Sequence, residues 1–156
     1  MLPILLALAA FHVPVGCSMT VPPAPFQGAT GVYLAAPLPN GLMPQTGTIQ
    51  LRPGICLYLD QSRGQTWADL ESTTEALYVL AHELAHSYGI RNEDGATCIG
   101  ARLVGFVARK IGATNERMIG AAYRLATARY SQPCQGWDSH GDPWTSTAVN
   151  DSSFEG

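Results

Sequence analysis

Charged residues, and basic clusters in particular, are scarce in this sequence. Only 13% of its 156 residues are charged, and the formal net charge is -3. Lysine and arginine form no cluster, so the chain lacks the basic footprint of a nucleic-acid-binding protein. It also lacks a basic amphipathic helix of the kind that binds membrane surfaces. No internal repeat is present, and the length suits one modest domain.

Paired cysteine motifs are also missing. Cys17, Cys56, Cys98 and Cys134 include no CxxC pair, which excludes a cysteine-based zinc knuckle. In an exported protein we expect disulfides and favour Cys56–Cys98, which would tie a strand to a helix across the core. Cys17–Cys134 would then join the two ends. In a reducing compartment the same residues would be four buried thiols.

Residues 1–19 form an apolar leader, and no lysine or arginine precedes its apolar run. Its apolar run, residues 2–15, is too short to span a bilayer and has the length of a signal-peptide core. The stretch PVGCS loosely resembles a lipobox, in which Cys17 would be lipidated and would attach the protein to a membrane. A plain secretion signal and a buried N-terminal strand are the alternatives. We expect a secreted or cell-envelope-attached protein.

The rest of the chain is interpreted as a linker, a folded domain and a tail. Residues 20–47 are rich in proline and glycine, which predicts a linker with an irregular lead-in. Residues 48–134 hold the periodic segments and form the predicted domain, whereas residues 135–156 form a polar, loose tail. Residues 48–51 and 55–59 alternate as strands do, and the proline between them indicates an edge strand or a bulge.

Three helices are predicted after a polar loop over residues 60–71. They cover residues 73–88, 93–111 and 115–130. Their predicted N-terminal caps are Ser72, Asn92 and Thr114, and Glu75 would complete a capping box with Ser72. Gly89 and Gly112 are predicted to end the first and the second helix. A short sheet beside these helices makes an α+β fold.

The first of these helices carries the HExxH pattern His82-Glu83-Leu84-Ala85-His86. Residues four apart share one helix face, so His82 and His86 can supply two of the three protein ligands of a catalytic zinc ion. Glu83 can then act as general base towards a metal-activated water. The alternative, two exposed histidines on a helix surface, conflicts with the apolar character of this helix.

Glu93 is the third ligand that we favour. It opens the second helix at the head of an apolar stripe, so its carboxylate is expected to point inward, towards the first helix. Ala96 and Gly100 in that stripe are small enough to let the two helices approach. Asp94 is the alternative ligand, and water or another residue stays open. The metzincin spacing would use Asn92, whose neutral amide is a poor zinc ligand, and is rejected.

HExxH on one helix with a glutamate on the next resembles the gluzincin arrangement. Residues 46–112 are similar to small zincin-like proteins of actinobacteria and phages. The resemblance implies a zinc peptidase fold in which the edge strand of a small sheet runs above the HExxH helix. It implies Zn²⁺ held by His82, His86 and Glu93, with Glu83 as the catalytic base.

Two further features of zincin peptidases have candidates here. Tyr88 or Tyr123 could stabilise the developing oxyanion, with ordinary packing as the alternative for both. An extended peptide could pair with the strand at residues 48–51 or 55–59, unless that strand is interior.

The predicted function is that of a small exported zinc metallopeptidase of bacterial or phage origin, acting on a peptide or protein substrate. The alternative is a protein that binds zinc without catalysis, as an envelope-associated binding or scaffold protein. A third reading is action on cell-wall peptides. His12 in the leader and His140 in the tail are expected to take no part.

Overall fold

The computed structural model describes residues 4–19, 29–34, 47–132 and 134, and it confirms an α+β fold. The elements in these residues are α1 (Ile4–Leu8), β1 (Val15–Gly16), β2 (Gly31–Leu34), β3 (Thr48–Leu51), α2 (Pro53–Gln61), α3 (Leu70–Ser87), α4 (Glu93–Lys110) and α5 (Glu116–Tyr130). Across these ranges no helix has the length and apolar character needed to cross a bilayer. The predicted tail, including His140, lies outside them.

Strand β3 is the middle strand of the described sheet, whose order is β1-β3-β2. It runs parallel to β1, with Val15 opposite Ile49, and antiparallel to β2, with Gly31 opposite Leu51. Ile49 and Leu51 are buried, as the alternating pattern requires. The strand prediction for residues 48–51 is therefore confirmed. Pairing of a peptide with this strand is ruled out, because both of its edges are occupied.

Residues 55–59 are helical, so the strand predicted there is wrong. They belong to α2, which begins at Pro53 directly after its N-cap, Arg52. Proline is well suited to the first helical position, because its missing N–H would have no partner there anyway. The short apolar run fits a helix as well as a strand, and it buries Cys56 and Leu59 three residues apart.

Part of the predicted linker is ordered structure. Residues 31–34 form β2, in which Val32 and Tyr33 are buried. This strand packs between β3 and helix α3. The prediction of irregular chain is wrong at these four residues, because pairing with β3 outweighs a composition rich in glycine and proline. Linker residues 29–30 and 47 are described but belong to no strand, whereas residues 20–28 and 35–46 lie outside the described ranges.

The leader segment contributes to the core of the domain. Leu8 and Val13 are fully buried in the hydrophobic core, and β1 pairs with β3. Residues 15–16 form a two-residue strand that is partly buried, and the choice between a secretion signal and a permanent part of the fold stays open. The sulfur of Cys17 is bonded to Cys56, so it is not available as the lipidation site considered above. Export of the protein stays a prediction. The disulfide bonds are compatible with it.

Both disulfide pairings predicted from the sequence are wrong. The bonds are Cys17–Cys56 and Cys98–Cys134. Cys56 lies on α2, which packs against α1 and the leader, and not on a strand facing α4. A short turn after α4 lets α5 return along it, so the chain beyond α5 reaches Cys98. Pairing follows from these neighbours in space.

The three long helices begin at local caps, although not always at the predicted residue. Asn92 accepts a hydrogen bond from the Gly95 N–H and starts α4, as predicted. Helix α3 starts earlier, because Asp69 and not Ser72 is its cap; the Asp69 carboxylate accepts the Ser72 N–H at 3.1 Å. Asn115 replaces the predicted Thr114 as the cap of α5.

Glycines with positive φ follow two of these helices. Gly89 has φ 96° and Gly112 has φ 99°, a region that glycine adopts without steric cost. Gly89 follows the end of α3 and redirects the chain towards α4, so the two helices of the HExxH region form a tight pair.

Candidate metal centre

His82, His86 and Glu93 converge between the C-terminal half of α3 and the first residue of α4. The two histidine Nε2 atoms are 3.1 Å apart. Glu93 Oε2 lies 3.0 Å from His82 Nε2, and Glu93 Oε1 lies 3.2 Å from His86 Nε2. One donor atom from each residue falls within 4.8 Å of the others. The structure therefore brings together the three residues selected from the sequence.

This group has the donor set and the spacing of a metal site. Two imidazole nitrogens and one carboxylate are a known ligand set of catalytic zinc. Bonds of 2.0–2.1 Å in a tetrahedron put neighbouring donors ~3.3 Å apart, close to the separations of 3.0 to 3.2 Å here. His82, His86 and Glu93 could thus hold a metal ion. Within the described ranges, Asp94 is exposed and is not a member of this group.

The tautomer of each histidine follows from the hydrogen-bond partner of its Nδ1 atom, the ring nitrogen that faces away from Glu93. His86 Nδ1 lies 2.7 Å from the main-chain oxygen of Ile90. A carbonyl oxygen can only accept, so Nδ1 carries the hydrogen and Nε2 offers a lone pair to the cluster. His82 Nδ1 lies 3.3 Å from the Tyr78 hydroxyl. Burial, and then the neighbouring His86, lower the pKa of His82, which favours the neutral ring that a metal requires.

Glu93 reaches the histidines from the rim of the site. Its carboxylate points towards the first helix, as expected, but its side chain is 78% exposed, so only the expected burial is wrong. Its position follows instead from the start of α4 at Asn92, which places the first helical residue beside the end of α3. The carboxylate can contact both imidazoles while its outer face stays in solvent.

Gly100 allows the close approach of α3 and α4, as its small size predicted. A Cβ atom on Gly100 would lie 3.0 Å from both Cα and the backbone N of His82. Such a contact is tighter than normal, and the obstructing atoms are backbone that cannot rotate away. The distance between the HExxH helix and the helix that begins with Glu93 therefore depends on glycine at this position.

Glu83 lies beside the group of His82, His86 and Glu93, with only 8% of its surface exposed. Burial, and then the charge of Glu93, raise the pKa of Glu83 to about 8. A hydrogen bond from the main-chain N–H of Tyr33 opposes this rise. The carboxyl group is thus held at the wall of the site by strand β2.

A cavity of about 600 Å³ opens over these residues. Its wall combines the start of β2, one face of α3 and the turn before α4. The lining residues are Ala29, Thr30, Gly31, Val32, Tyr33, Tyr78, Val79, His82, Glu83, His86, Arg91 and Glu93. The strand beside the HExxH helix is therefore β2, whose partner in the described sheet is β3 alone. The sequence assigned this strand to the linker.

Neither tyrosine proposed as an oxyanion stabiliser is among the described lining residues. The Tyr88 ring lies 4.3 Å from the His12 ring, and Tyr123 is 43% exposed on α5. Tyr33 and Tyr78 line the cavity instead. Tyr78 could have been found from the sequence, because it precedes His82 by one helical turn. Tyr33 had no such signal, since its strand was not predicted.

His12 contacts the end of the HExxH helix without joining the metal cluster. Its Nε2 lies 3.1 Å from Ser87 Oγ, and its ring packs on Tyr88. His12 was expected to take no part in the site, but the leader brings it into contact with the C-terminus of α3. Its role in the described structure is contact with the fold.

Comparisons of the chain with protein-family models, with curated proteins and with solved structures found no match. None of the three comparisons identifies a zincin-like family, so that resemblance stays an expectation from the sequence.

Proposed function

We propose that this protein is a zinc-dependent peptidase in which His82, His86 and Glu93 hold the metal and Glu83 is the general base. The observation that carries the proposal is the convergence of two imidazole nitrogens and a carboxylate beside a second, buried carboxylate in one cavity. Structural metal sites usually have closed coordination by the protein, whereas three protein ligands facing a cavity leave room for substrate.

The residues around the cluster suit hydrolysis of an amide. A bound zinc ion supplies Lewis acidity, which polarises a carbonyl and makes a water molecule more acidic at neutral pH. Glu83 lies at the cavity wall, where its carboxylate can accept the proton of the attacking water and donate it to the leaving amine. Strand β2 lies at an edge of the described sheet and lines the cavity, where an extended peptide can lie alongside it. One main-chain donor of this edge, the Tyr33 N–H, is already bound by the Glu83 carboxylate.

The first test is metal binding by the purified protein. Wild type is expected to bind about one zinc ion per chain, whereas His82→Ala and Glu93→Ala lose most of this affinity. Asp94→Ala is the matched control, because Asp94 is a neighbouring exposed acid outside the cluster. Metal content and competition with a chelator provide the measurement. If Glu93→Ala binds zinc as tightly as Asp94→Ala, the assignment of the third ligand is wrong.

The second test separates catalysis from metal binding. Glu83→Gln keeps the size of the side chain and removes its basicity, so it is expected to retain zinc. Its hydrolysis of a quenched peptide library is expected to fall by about 10²- to 10⁴-fold. A chelator should abolish the wild-type activity. Unchanged hydrolysis by Glu83→Gln would remove the proposed mechanism and leave the metal site in place.

A zinc-binding protein without catalytic activity is the second candidate. It is favoured by the engagement of the Glu83 carboxylate with the Tyr33 main-chain N–H, which ties α3 to β2 and would serve a structural role equally well. Wild type that binds zinc but cleaves neither the peptide library nor muropeptides would support this candidate. Chelator-sensitive cleavage of muropeptides alone would indicate action on cell-wall peptides.

The proposed location is outside the cell or at its envelope. Cys17–Cys56 and Cys98–Cys134 support it, because disulfides persist mainly in oxidising compartments. Mass spectrometry of protein from the culture medium and the cell envelope, without added reductant, would test both the location and the pairing.

A further inference from the structure

Tyr78 lies one helical turn before His82 on α3 and contacts the ring nitrogen that faces away from the cluster. Its hydroxyl oxygen is 3.3 Å from His82 Nδ1, and the two rings meet edge to face with centroids 5.7 Å apart. The Nε2 atom of the same ring lies 3.0 Å from Glu93. His82 is therefore held between a carboxylate on one side and a phenol on the other.

Each of the two histidines needs a hydrogen-bond acceptor for its Nδ1–H, and Tyr78 can be that acceptor for His82. A histidine that binds a metal through Nε2 carries its hydrogen on Nδ1, and the acceptor for that hydrogen determines the ring orientation. His86 uses the main-chain oxygen of Ile90 as acceptor. A tyrosine hydroxyl can accept a hydrogen bond as well as donate one, so the Tyr78 oxygen can accept the Nδ1 hydrogen of His82.

The position of Tyr78 is itself restrained by two other helices. Its ring stacks on that of Tyr130 at the end of α5, with centroids 3.7 Å apart and planes within 6° of parallel. Its hydroxyl also has a side-chain hydrogen bond with Thr97 of α4. Just beyond Tyr130, the bond between Cys134 and Cys98 ties the chain after α5 back to α4. A phenol restrained in this way has little freedom to turn away from His82.

The geometry points to Tyr78 as a positioning residue for His82: it accepts the Nδ1 hydrogen and aims Nε2 at the metal, and Tyr130 holds it in place. The inference rests on the proposed metal binding and extends it to α5, which contributes none of the three ligands.

The experiment compares zinc affinity in wild type, Tyr78→Phe and Tyr123→Phe. Phenylalanine keeps the stack with Tyr130 and removes only the hydroxyl, so the fold should be retained. Loss of an outer hydrogen bond to a ligand histidine typically weakens metal binding about 10- to 100-fold, which is the expected effect in Tyr78→Phe. Tyr123→Phe removes an exposed hydroxyl from α5 and should bind zinc as wild type does.

Two further readouts distinguish positioning from a structural role. In the zinc-loaded wild type, the Nδ1–H of His82 should give a proton resonance protected from exchange with water. That resonance should be lost or exchange rapidly in Tyr78→Phe, while the His86 signal persists. In cobalt-loaded protein, the visible absorption bands of the metal should shift in Tyr78→Phe only, because they report the ligand geometry.

The part played by Tyr130 is tested by a second pair of variants. Tyr130→Phe preserves the stacked ring and should match wild type, whereas Tyr130→Ala frees Tyr78 and should weaken zinc binding. Equal thermal unfolding of the metal-free Tyr78→Phe and wild-type proteins would exclude a general loss of structure.

The outcomes are separable from those for the proposed function. If wild type binds zinc and Tyr78→Phe binds it equally well with an unchanged His82 resonance, the positioning role is wrong and the metal site stands. If wild type binds no zinc, the proposed function and this inference both fail.

Discussion

At the scale of single residues, three side chains around the cavity have pKa values shifted in the direction that favours their neutral forms. Burial lowers the pKa of His82, raises the pKa of Glu83 to about 8 and raises the pKa of Tyr78 to about 12. All three shifts have the same physical origin, because a charge loses hydration when it is removed from water. A divalent cation at the cluster would reverse this for Glu83, since it stabilises a nearby carboxylate.

His12 allows a prediction at the scale of one residue that is independent of the metal ligands. Burial lowers the pKa of His12 below 6.5, against a hydrogen bond from its ring N–H to the main chain of Ser87 that raises the pKa. The unfolded chain then binds the proton more readily than the folded chain. The neutral ring of His12 therefore contributes to the stability of the fold at pH above 6.5. This contribution is lost as the pH falls through the lowered pKa of His12 in the folded protein.

Replacing His12 by glutamine should remove this pH dependence, because glutamine keeps a hydrogen-bond donor for Ser87 but does not titrate. Urea unfolding of both proteins between about pH 8 and 5 measures it. The free energy of unfolding of wild type should fall relative to that of His12→Gln as the pH is lowered. Parallel curves for the two proteins would show that His12 does not titrate differently in the folded state.

At the scale of elements, the pair α3–α4 decides whether the ligands meet. His82 and His86 belong to one helix, so their separation is a local property. Glu93 belongs to the next helix, so its distance from them depends on how closely the helix axes approach. Gly100 provides that approach because its Cα packs directly against the backbone at His82.

Gly100→Ala is therefore expected to weaken zinc binding by separating α4 from α3. Gly105→Ala is the matched control on the same helix, because its added Cβ would meet mainly the flexible end of Arg109 at 3.3 Å. Alanine is favoured over glycine inside a helix by up to about 1 kcal/mol, so Gly105→Ala should be neutral or stabilising. Chelator competition and thermal unfolding of both variants test this. Equal zinc affinity in the two variants would contradict the packing argument.

The same scale shows where sequence patterns predicted elements well and where they did not. The helices at Asn92 and near Asn115 were found because their caps and stops act within a few residues. Residues 55–59 were assigned to a strand because a short apolar run is compatible with either period. Pro53 was interpreted as the mark of an edge strand or a bulge, but it stands at the first position of α2, where proline is common.

At the scale of the whole molecule, the disulfides connect the segments before and after the central helices to the core. Cys17–Cys56 closes a separation of 39 residues and Cys98–Cys134 one of 36. In the chain-entropy model, each bond limits the unfolded chain and so stabilises the fold. The first of them also holds the leader segment, whose Leu8 and Val13 are part of the core.

Replacing Cys17 and Cys56 together by serine should lower the free energy of unfolding by about 4 kcal/mol, from the entropy of a loop of this length. The expected loss in Cys98→Ser/Cys134→Ser is similar, because the loop is nearly as long. Denaturant unfolding without reductant measures both. A loss well below about 2 kcal/mol in the first variant would mean that the leader is held chiefly by its apolar contacts.

The sequence by itself determined what depends on near neighbours along the chain. The four-residue spacing of His82 and His86 places both on one helix face by the geometry of the helix alone. Asn92 caps α4, so Glu93 stands at the first turn of the next helix whatever the rest of the fold does. Its predicted burial was wrong, because exposure depends on what packs over a residue and not on its place in a stripe.

Only the tertiary structure decided the features that join distant segments. Strand β2 lines the cavity because it pairs with β3 on the side opposite β1 and packs against α3, and no local pattern in the sequence records these contacts. The cysteine pairs followed from which elements pack together, across separations of 39 and 36 residues. Tyr78 met Tyr130 for the same reason. Such contacts arise from burial of apolar surface, which has no direction along the chain and therefore leaves no short-range signal in the sequence.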